Sequence, residues 1–540
     1  MDGVANLFHP VDWIVLFGYL ALTTWVGHLM RGKQATIKDF FAGGKSLPWL
    51  AVCGSIIATE ISGVTFIGVP GTVMAANGDF TYLLWGIGSI IGRIVVGVFF
   101  VKVFYEDEIY SPYDYMGKRI HPHLKTLATV FFSLGSILGQ SVRVLVAALP
   151  LRVVTGLPFE WCIVVIGLFA IGWTLMGGMR TVIWTDVMQF GLFTVGGLLA
   201  LFWVVGHIDG GFGEYWRIAG EAEKTRLWNA EFGFAPELEY TFWVALLAVP
   251  FQNLTAFGVD QLNAQRMFCC KSAGDARKAV IWSSMGQVLT LLMLLVGAGL
   301  FVFYQENPPE GALKTALAFK DDGTPSNGDV VFPIWIVSEL PIGLSGLILA
   351  GVFAAAISSL DSILAALSQT TLSLIHNPEK RESNGGAEGE AKLVKQSRIL
   401  VLIWGVVLTI FTMLMYVAQT ELEIPILPLA FGMTAYTMGP LLGMFFCSLL
   451  GRGSMKGLIL GSVLSFVLVA FIKLDIWVLL NKAGLDVRWL ANLPTYYLDS
   501  NPKNLLGVKV SLGYFWAWPM TTIITFGCGW LLAKKDDVKA

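Results

Sequence analysis

The sequence predicts an all-α polytopic membrane protein with about thirteen transmembrane helices. Composition is the first reason. The 540 residues are 55% hydrophobic and only 14% charged, with mean hydropathy +0.68, whereas a soluble domain carries about 25% charge. Run length is the second. Apolar stretches of roughly 20 residues recur, each long enough as a helix to cross about 30 Å of hydrocarbon. The third is where polar groups fall inside those stretches, because a carboxylate placed there is costly and points to function.

The expected spans lie at about 11–30, 47–75, 80–104, 124–154, 159–178, 181–206, 240–258, 279–305, 343–375, 397–420, 424–450, 456–474 and 509–533. The first reads as a retained helix. "MDGVANLFHP" lacks the basic start of a signal peptide, and the run from Val11 to Met30 is too long for one. Basic residues set the orientation. With the N-terminus outside, the cytoplasmic loops, "QRMFCCKSAGDARK" among them, hold about 23 of the 36 Lys and Arg. The opposite loops hold about 9. The C-terminus is then inside. The stretches at 207–239, 306–330 and 475–508 fall outside and are expected to carry short lid helices. "EKRESNGGAEGEAK" reads as a mobile cytoplasmic linker. Three regions follow: 1–46, a first helix and loop; 47–450, a ten-helix core; and 451–540, two further helices with an external loop.

Several functions are set aside. A net charge of −2 argues against a nucleic-acid or acidic partner. Six cysteines without CxxC spacing argue against a disulfide framework and a zinc site. None of the six histidines sits in mid-span, which weighs against haem or a proton relay. No catalytic constellation is visible, so the chain is not expected to be an enzyme.

The second span contains "ATEISG", with Thr59, Glu60, Ser62 and Gly63 together, and then Gly68, Pro70 and Gly71. The seventh is interrupted in parallel by "AVPFQNLTAFGVDQ", with Pro250, Asn253, Thr255 and Gly258. Broken helices at matching places in two halves point to a transport site. Counted from the second span, these are the first and sixth helices of a ten-helix core. Unwound backbone there can offer carbonyls to a cation.

The ninth span carries "AAAISSLDS". On a helix, Ala355, Ser358, Ser359 and Ser362 share one face, with Asp361 flanking it. Hydroxyls opposite a carbonyl rim suit a small hard cation. Asp186, in "TVIWTDVMQFG", is a second intramembrane carboxylate, and Asp260 closes the seventh span. Arg93 and Arg143 are the intramembrane cations. Arg143 needs an anionic partner, which Glu60 or a substrate carboxylate could supply.

Taken together, "FFAGGKSLPWL", "GSIIATEISGVTFIG", "LMGGMRTVIWTDVMQ", "DQLNAQRMF" and "AGVFAAAISSLDS" resemble the sodium/solute symporter family, from the first span through the eleventh. Locally, "FVFYQENP" and "SELPIGLSGLILAGVFAAA" look most like its bacterial sialic-acid and sugar branch. The resemblance implies a LeuT-type fold of two inverted five-helix repeats. It places the main sodium site on carbonyls of Ala58, Ile61 and Ala355 and hydroxyls of Ser358 and Ser359. A second sodium site is implied at Asp186, Ser358 and Ser362. Asp361 stands where that branch has a serine, so it could join that site or take a proton. Ser62, Thr65, Asn253 and Phe257 match substrate contacts, and Glu60 and Arg143 are added from the residues themselves. Gly139 stands where the sialic-acid branch has its carboxylate-binding arginine, one helical turn from Arg143.

The expectation is a sodium-coupled symporter in the cell membrane. It imports a small polar organic solute, such as a sugar, sugar acid or zwitterion, by alternating access. Sodium is the coupling ion, with no organic cofactor, and the monomer is expected to function. The alternatives are a transport-deficient solute sensor and a symporter for a small organic or inorganic anion.

Overall fold

The computed structural model describes residues 2–30, 43–107, 109, 111–176, 178–228, 234–320, 323–376, 386–422, 426–473, 476, 480, 484 and 512–534. Within them lie α1 (Pro10–Met30), α2 (Trp49–Glu60), α3 (Val64–Met74), α4 (Thr81–Glu106) and α5 (Pro122–Thr155). Next come α6 (Phe159–Met176), α7 (Met179–Gly206), α8 (Phe242–Val259), α9 (Gln261–Met267) and α10 (Ala273–Glu306). The chain ends with α11 (Leu344–Ile375), α12 (Gly386–Leu422), α13 (Ile426–Leu449), α14 (Met455–Lys473) and α15 (Ala517–Leu531). Among the described residues, ten helices are long and apolar enough to cross a bilayer, and α2 with α3, bent by 52°, make an eleventh. α6 and α15 stand at the fifth and thirteenth expected spans but are shorter. Most of the outer loop at 475–508 and the core of the cytoplasmic linker, 377–385, lie outside the described residues.

The packing repeats itself in inverted order. α2–α3 packs on α10, and its counterpart α8 packs on α4. α2 packs on α7, as α8 packs on α13; α5 packs on α12, as α11 packs on α6; and α5 and α11 pack on each other. Each such pair maps onto its partner when the five-helix halves are exchanged. The two bent helices therefore come together in the middle, where their unwound backbone is shielded from lipid. Lipid contact would leave its N–H and C=O groups without partners.

The first helix lies outside this repeat and packs on α7 and α11. Its Asp12 is buried and accepts hydrogen bonds from the backbone N–H of Gly343 (2.6 Å) and Gly346 (3.0 Å). A carboxylate from one helix thus caps the start of another, where orphan amides and the helix dipole both favour negative charge. Gly346 is what permits the approach, since a Cβ there would come within 2.3 Å of the Asp12 carbonyl oxygen.

The seventh span departs from expectation. It was drawn to end near 258, with "QRMFCCKSAGDARK" in the cytoplasm. The chain instead breaks at Asp260 (φ −67°, ψ 126°) and continues as α9, every residue of which is buried. Arg266 is therefore an interior residue and not a loop charge. Two of the expected outer lids are helical among the described residues, at Gly211–Glu221 and Gly311–Leu317. A third short helix, Val331–Glu339, precedes α11.

Candidate functional site

The break between α2 and α3 has a definite form. Ile61 (φ −76°, ψ 75°) is the middle of an inverse γ-turn, in which the Ser62 N–H donates to the Glu60 carbonyl at 2.9 Å. The Thr65 N–H donates to the Ser62 carbonyl at 3.0 Å. In an unbroken helix, Ser62 and Thr65 would instead satisfy the carbonyls of Ala58 and Ile61. Those are two of the carbonyls expected to hold sodium. Opposite them on α11, the Ser359 hydroxyl is 1% exposed and has no hydrogen-bond partner. An oxygen-seeking cation fits this donor set. The side chains of Ala355 and Ser358 lie outside the described residues. A five-residue π-helical turn follows the α2 break, Val64–Gly68, and another precedes the α8 break, Thr255–Val259.

One helical turn away along α2 and α11 lies Arg266, expected in a loop but found inside the bundle. Arg266 is 0% exposed. Its Nε donates to the Ser55 hydroxyl (2.9 Å) and its Nη1 to the Leu262 carbonyl (2.8 Å). Its Nη2 donates to Ser362 (2.7 Å) and Asp186 (3.1 Å). Ser55 also donates to Asp186. A guanidinium thus lies between Asp186 and Ser362, two of the groups expected to share a second sodium ion. Asp361 is buried nearby with Thr174 as its hydrogen-bonding neighbour, and its Oδ1 has no partner. Two signals pointed to Arg266. The buried Asp186 required a cation, and a helix that breaks continues on the other side of the break.

Between the two breaks lies a cavity of about 190 Å³. Glu60, Ser62, Thr65, Arg143, Asn253 and Phe257, all six expected substrate contacts, line it. The expected Glu60–Arg143 pair does not form. Glu60 pairs with Arg93 on α4 and accepts a hydrogen bond from Gln287 (3.3 Å). Arg93 is 0% exposed, held by Ser283 (3.1 Å) and lying 4.2 Å over the Phe257 ring. Gly286 leaves room for the Glu60 carboxylate, which would stand 3.2 Å from a Cβ there. Arg143 faces the cavity with its Nη1 unpartnered. Ser89, Ser136, Gln140 and Asn263 also line it, and a side-chain oxygen of each is buried without a partner. These four escaped the sequence reading because single polar residues in a membrane helix usually serve as packing contacts. Trp85 and Phe431 also line it, with ring centroids 4.9 Å apart, and the Trp85 indole donates to the Glu239 carbonyl (2.9 Å).

A profile of the sodium:solute symporter family matches residues 40–461. The chain belongs to the sodium:solute symporter family. Over 406 residues this symporter is 30% identical to the sodium/sialic acid symporter SiaT of Proteus mirabilis, covering 74% of this chain and 77% of that one. It is 27% identical over 416 residues to the sodium/glucose cotransporter of Vibrio parahaemolyticus, covering 75% of each. A solved structure of a sodium-coupled sialic acid symporter, substrate-bound and outward-open, aligns with a TM-score of 0.75 at 24% identity. It covers 98% of this chain and 100% of that one. That likeness establishes the LeuT-type fold. The symporter is a multi-pass membrane protein that couples sodium to a small solute.

Three outcomes test this geometry. Ser359→Ala should raise the sodium concentration for half-maximal uptake severalfold in protein that still folds; an unchanged sodium dependence removes the hydroxyl from the site. Glu60→Gln and Arg93→Gln should each impair uptake, and the double variant should lose less than the two losses combined, since removing one partner strands the other. Strict additivity in that cycle would show that the two do not act as a pair. Arg266→Gln should cost about 3–5 kcal/mol of stability by stranding buried Asp186. Adding Asp186→Asn should recover part of that, as read by thermal unfolding in detergent. Arg266→Lys should not substitute, because one ammonium cannot reach four acceptors spread around a planar fork.

Proposed function

We propose that this symporter carries a hydroxyl-rich solute, a sugar or sugar acid, into the cell by alternating access, driven by inward sodium. The observation that carries this reading is the cavity wall. Arg143, Ser89, Ser136, Gln140 and Asn263 line one cavity beside two broken helices, and each carries a buried polar atom without a partner. Such groups cost free energy until a solute satisfies them. The Glu60 charge is already answered by Arg93, so Glu60, Gln287, Asn253 and Ser62 offer acceptors and donors more than net charge. Arg143 is the group that would distinguish an acid from a neutral sugar.

Sodium, as coupling ion, would bind the carbonyls of Ala58, Ile61 and Ala355 and the hydroxyls of Ser358 and Ser359, joining α2 to α11. That link would favour the outward-open state, and its loss to the cytoplasm would release the solute. A second ion at Asp186, Asp361 and Ser362 would have to draw Asp186 and Ser362 away from Arg266. The reading therefore takes one sodium ion per cycle as the basic stoichiometry. We further take the protein to act as a monomer in the cell membrane, N-terminus outside and C-terminus cytoplasmic, with no organic cofactor and no enzymatic step.

Purified protein in liposomes tests the proposal. An inward sodium gradient, compared with potassium, should accelerate uptake of at least one labelled solute from a panel of neutral sugars, sugar acids and small anions. Saturable binding without sodium-stimulated uptake of any of them would favour a solute sensor. For an acid substrate, Arg143→Gln should reduce uptake about tenfold or more while the sodium dependence persists, in line with losing one charged hydrogen bond. Preference for a small inorganic anion would overturn the assignment to sugars.

A further inference from the structure

A groove of about 510 Å³ runs between α1 and α6 on the outer surface of the bundle. Phe17, Leu20 and Ala21 line one wall, and Leu168, Phe169 and Trp173 the other. It exists for two reasons. α1 seats mainly on α7 and α11, and Gly172 contributes no side chain; a Cβ built there meets nothing within 4 Å. The groove opens at one end into a polar pocket of about 230 Å³, with which it shares Thr24 and Trp173. That pocket lies where α1 finishes, at the end the basic loops assign to the cytoplasm. His28 comes from the last turn of α1 and Arg398 from α12, and among the described residues no acidic side chain lines it. Arg398 is exposed and makes no ion pair or hydrogen bond among the described residues.

An apolar trough that ends in a cationic, acid-free pocket at the interface has the polarity of one lipid molecule. Basic pockets between helices at the cytoplasmic side suit anionic headgroups, and each basic group near the surface is worth about fivefold in affinity. A zwitterionic lipid would fill the trough but bring Arg398 a phosphate already balanced by its own ammonium. Free phosphate would answer Arg398 and leave the trough empty. We propose that the α1–α6 groove binds one anionic phospholipid, with its phosphate at Arg398 and His28 and an acyl chain along Phe17, Leu20, Leu168 and Gly172. The lipid completes the seat of α1, whose Asp12 caps α11. It thus supports the helix that carries Ser359 without touching the ion or solute site.

The test uses the full-length protein in detergent, by native mass spectrometry and thermal unfolding. Phosphatidylglycerol should give a single retained adduct and raise the melting temperature by several degrees. Phosphatidylcholine should bind about fivefold to tenfold more weakly, and glycerol 3-phosphate or inorganic phosphate should give no shift. Arg398→Gln should abolish the preference between the two lipids while leaving a weak adduct. Gly172→Leu puts a side chain into space that the protein leaves open. It should abolish both adducts while leaving the lipid-free melting temperature within about a degree of the parent. Equal retention of the two lipids, an equal shift from phosphate alone, or a full adduct in Gly172→Leu would each overturn the proposal.

Discussion

A guanidinium with no exposed surface inside a membrane protein must place its N–H groups on protein acceptors, because neither water nor lipid can take them. Arg266 meets this demand by drawing on four core segments at once: Ser55 of α2, Asp186 of α7, Leu262 of its own α9, and Ser362 of α11. Those contacts fix the inner half of the molecule. Ser55 lies three residues before Ala58 and Ser362 three residues after Ser359, on helices that run in opposite directions. The arginine cluster therefore sits one turn from the proposed sodium ligands on both. The proposed sodium link and the arginine link join the same two helices at adjacent levels. Under the proposed alternating access, parting α2 from α11 would have to break both links together.

The breaks supply what regular helices cannot. A continuous α2 would spend the Ala58 and Ile61 carbonyls on the amides of Ser62 and Thr65. The γ-turn at Ile61 takes the Ser62 amide and the Thr65 amide turns to the Ser62 carbonyl, so two carbonyls become available in the middle of a helix. The break in α8 is handled differently. The Asp260 carboxylate caps Leu262 (2.8 Å), and the Asn263 amide donates to the Ala256 carbonyl (2.8 Å). Inverted repeats thus have matching interruptions with unlike chemistry. One leaves carbonyls open opposite the Ser359 hydroxyl, and the other closes its own backbone and turns side chains toward the cavity.

Much of this was legible before the fold was known. Hydropathy located the spans because burial in lipid requires long apolar runs. The polar clusters "ATEISG" and "AVPFQNLTAFGVDQ" marked the breaks. What stayed hidden depends on the partner of each charge. Arg266 follows a break and keeps polar company in "LNAQRM", so a reading by hydropathy ends the span before reaching it. Glu60 was matched to Arg143 by position near the middle of the membrane. The actual partner, Arg93, lies on the adjacent core helix, and its ring contact with Phe257 and hydrogen bond to Ser283 fix it there. Sequence spacing resolves neighbours along one helix; it does not decide which of two arginines on different helices meets a given carboxylate.

The balance of charge inside the core then separates scaffold from function. Arg266 with Asp186, and Arg93 with Glu60, are ion pairs made wholly by the protein. Within its pair the Arg93 Nε is still unpartnered, and two charged groups that make no ion pair among the described residues, Arg143 and Asp361, also keep an unpartnered atom. Arg143 does so on the cavity wall and Asp361 beside the proposed ion-binding face of α11. An atom left in that condition costs more than it returns unless something outside the chain completes it during part of the cycle. The two loose ends lie where the proposed solute and the proposed cation would arrive. This is the arrangement expected if the empty protein is held at a cost that its cargo removes. On that view, coupling in this symporter rests on the same accounting as folding. Groups that the chain can satisfy hold the helices together, and groups that it cannot satisfy mark where ligands must enter before the helices move.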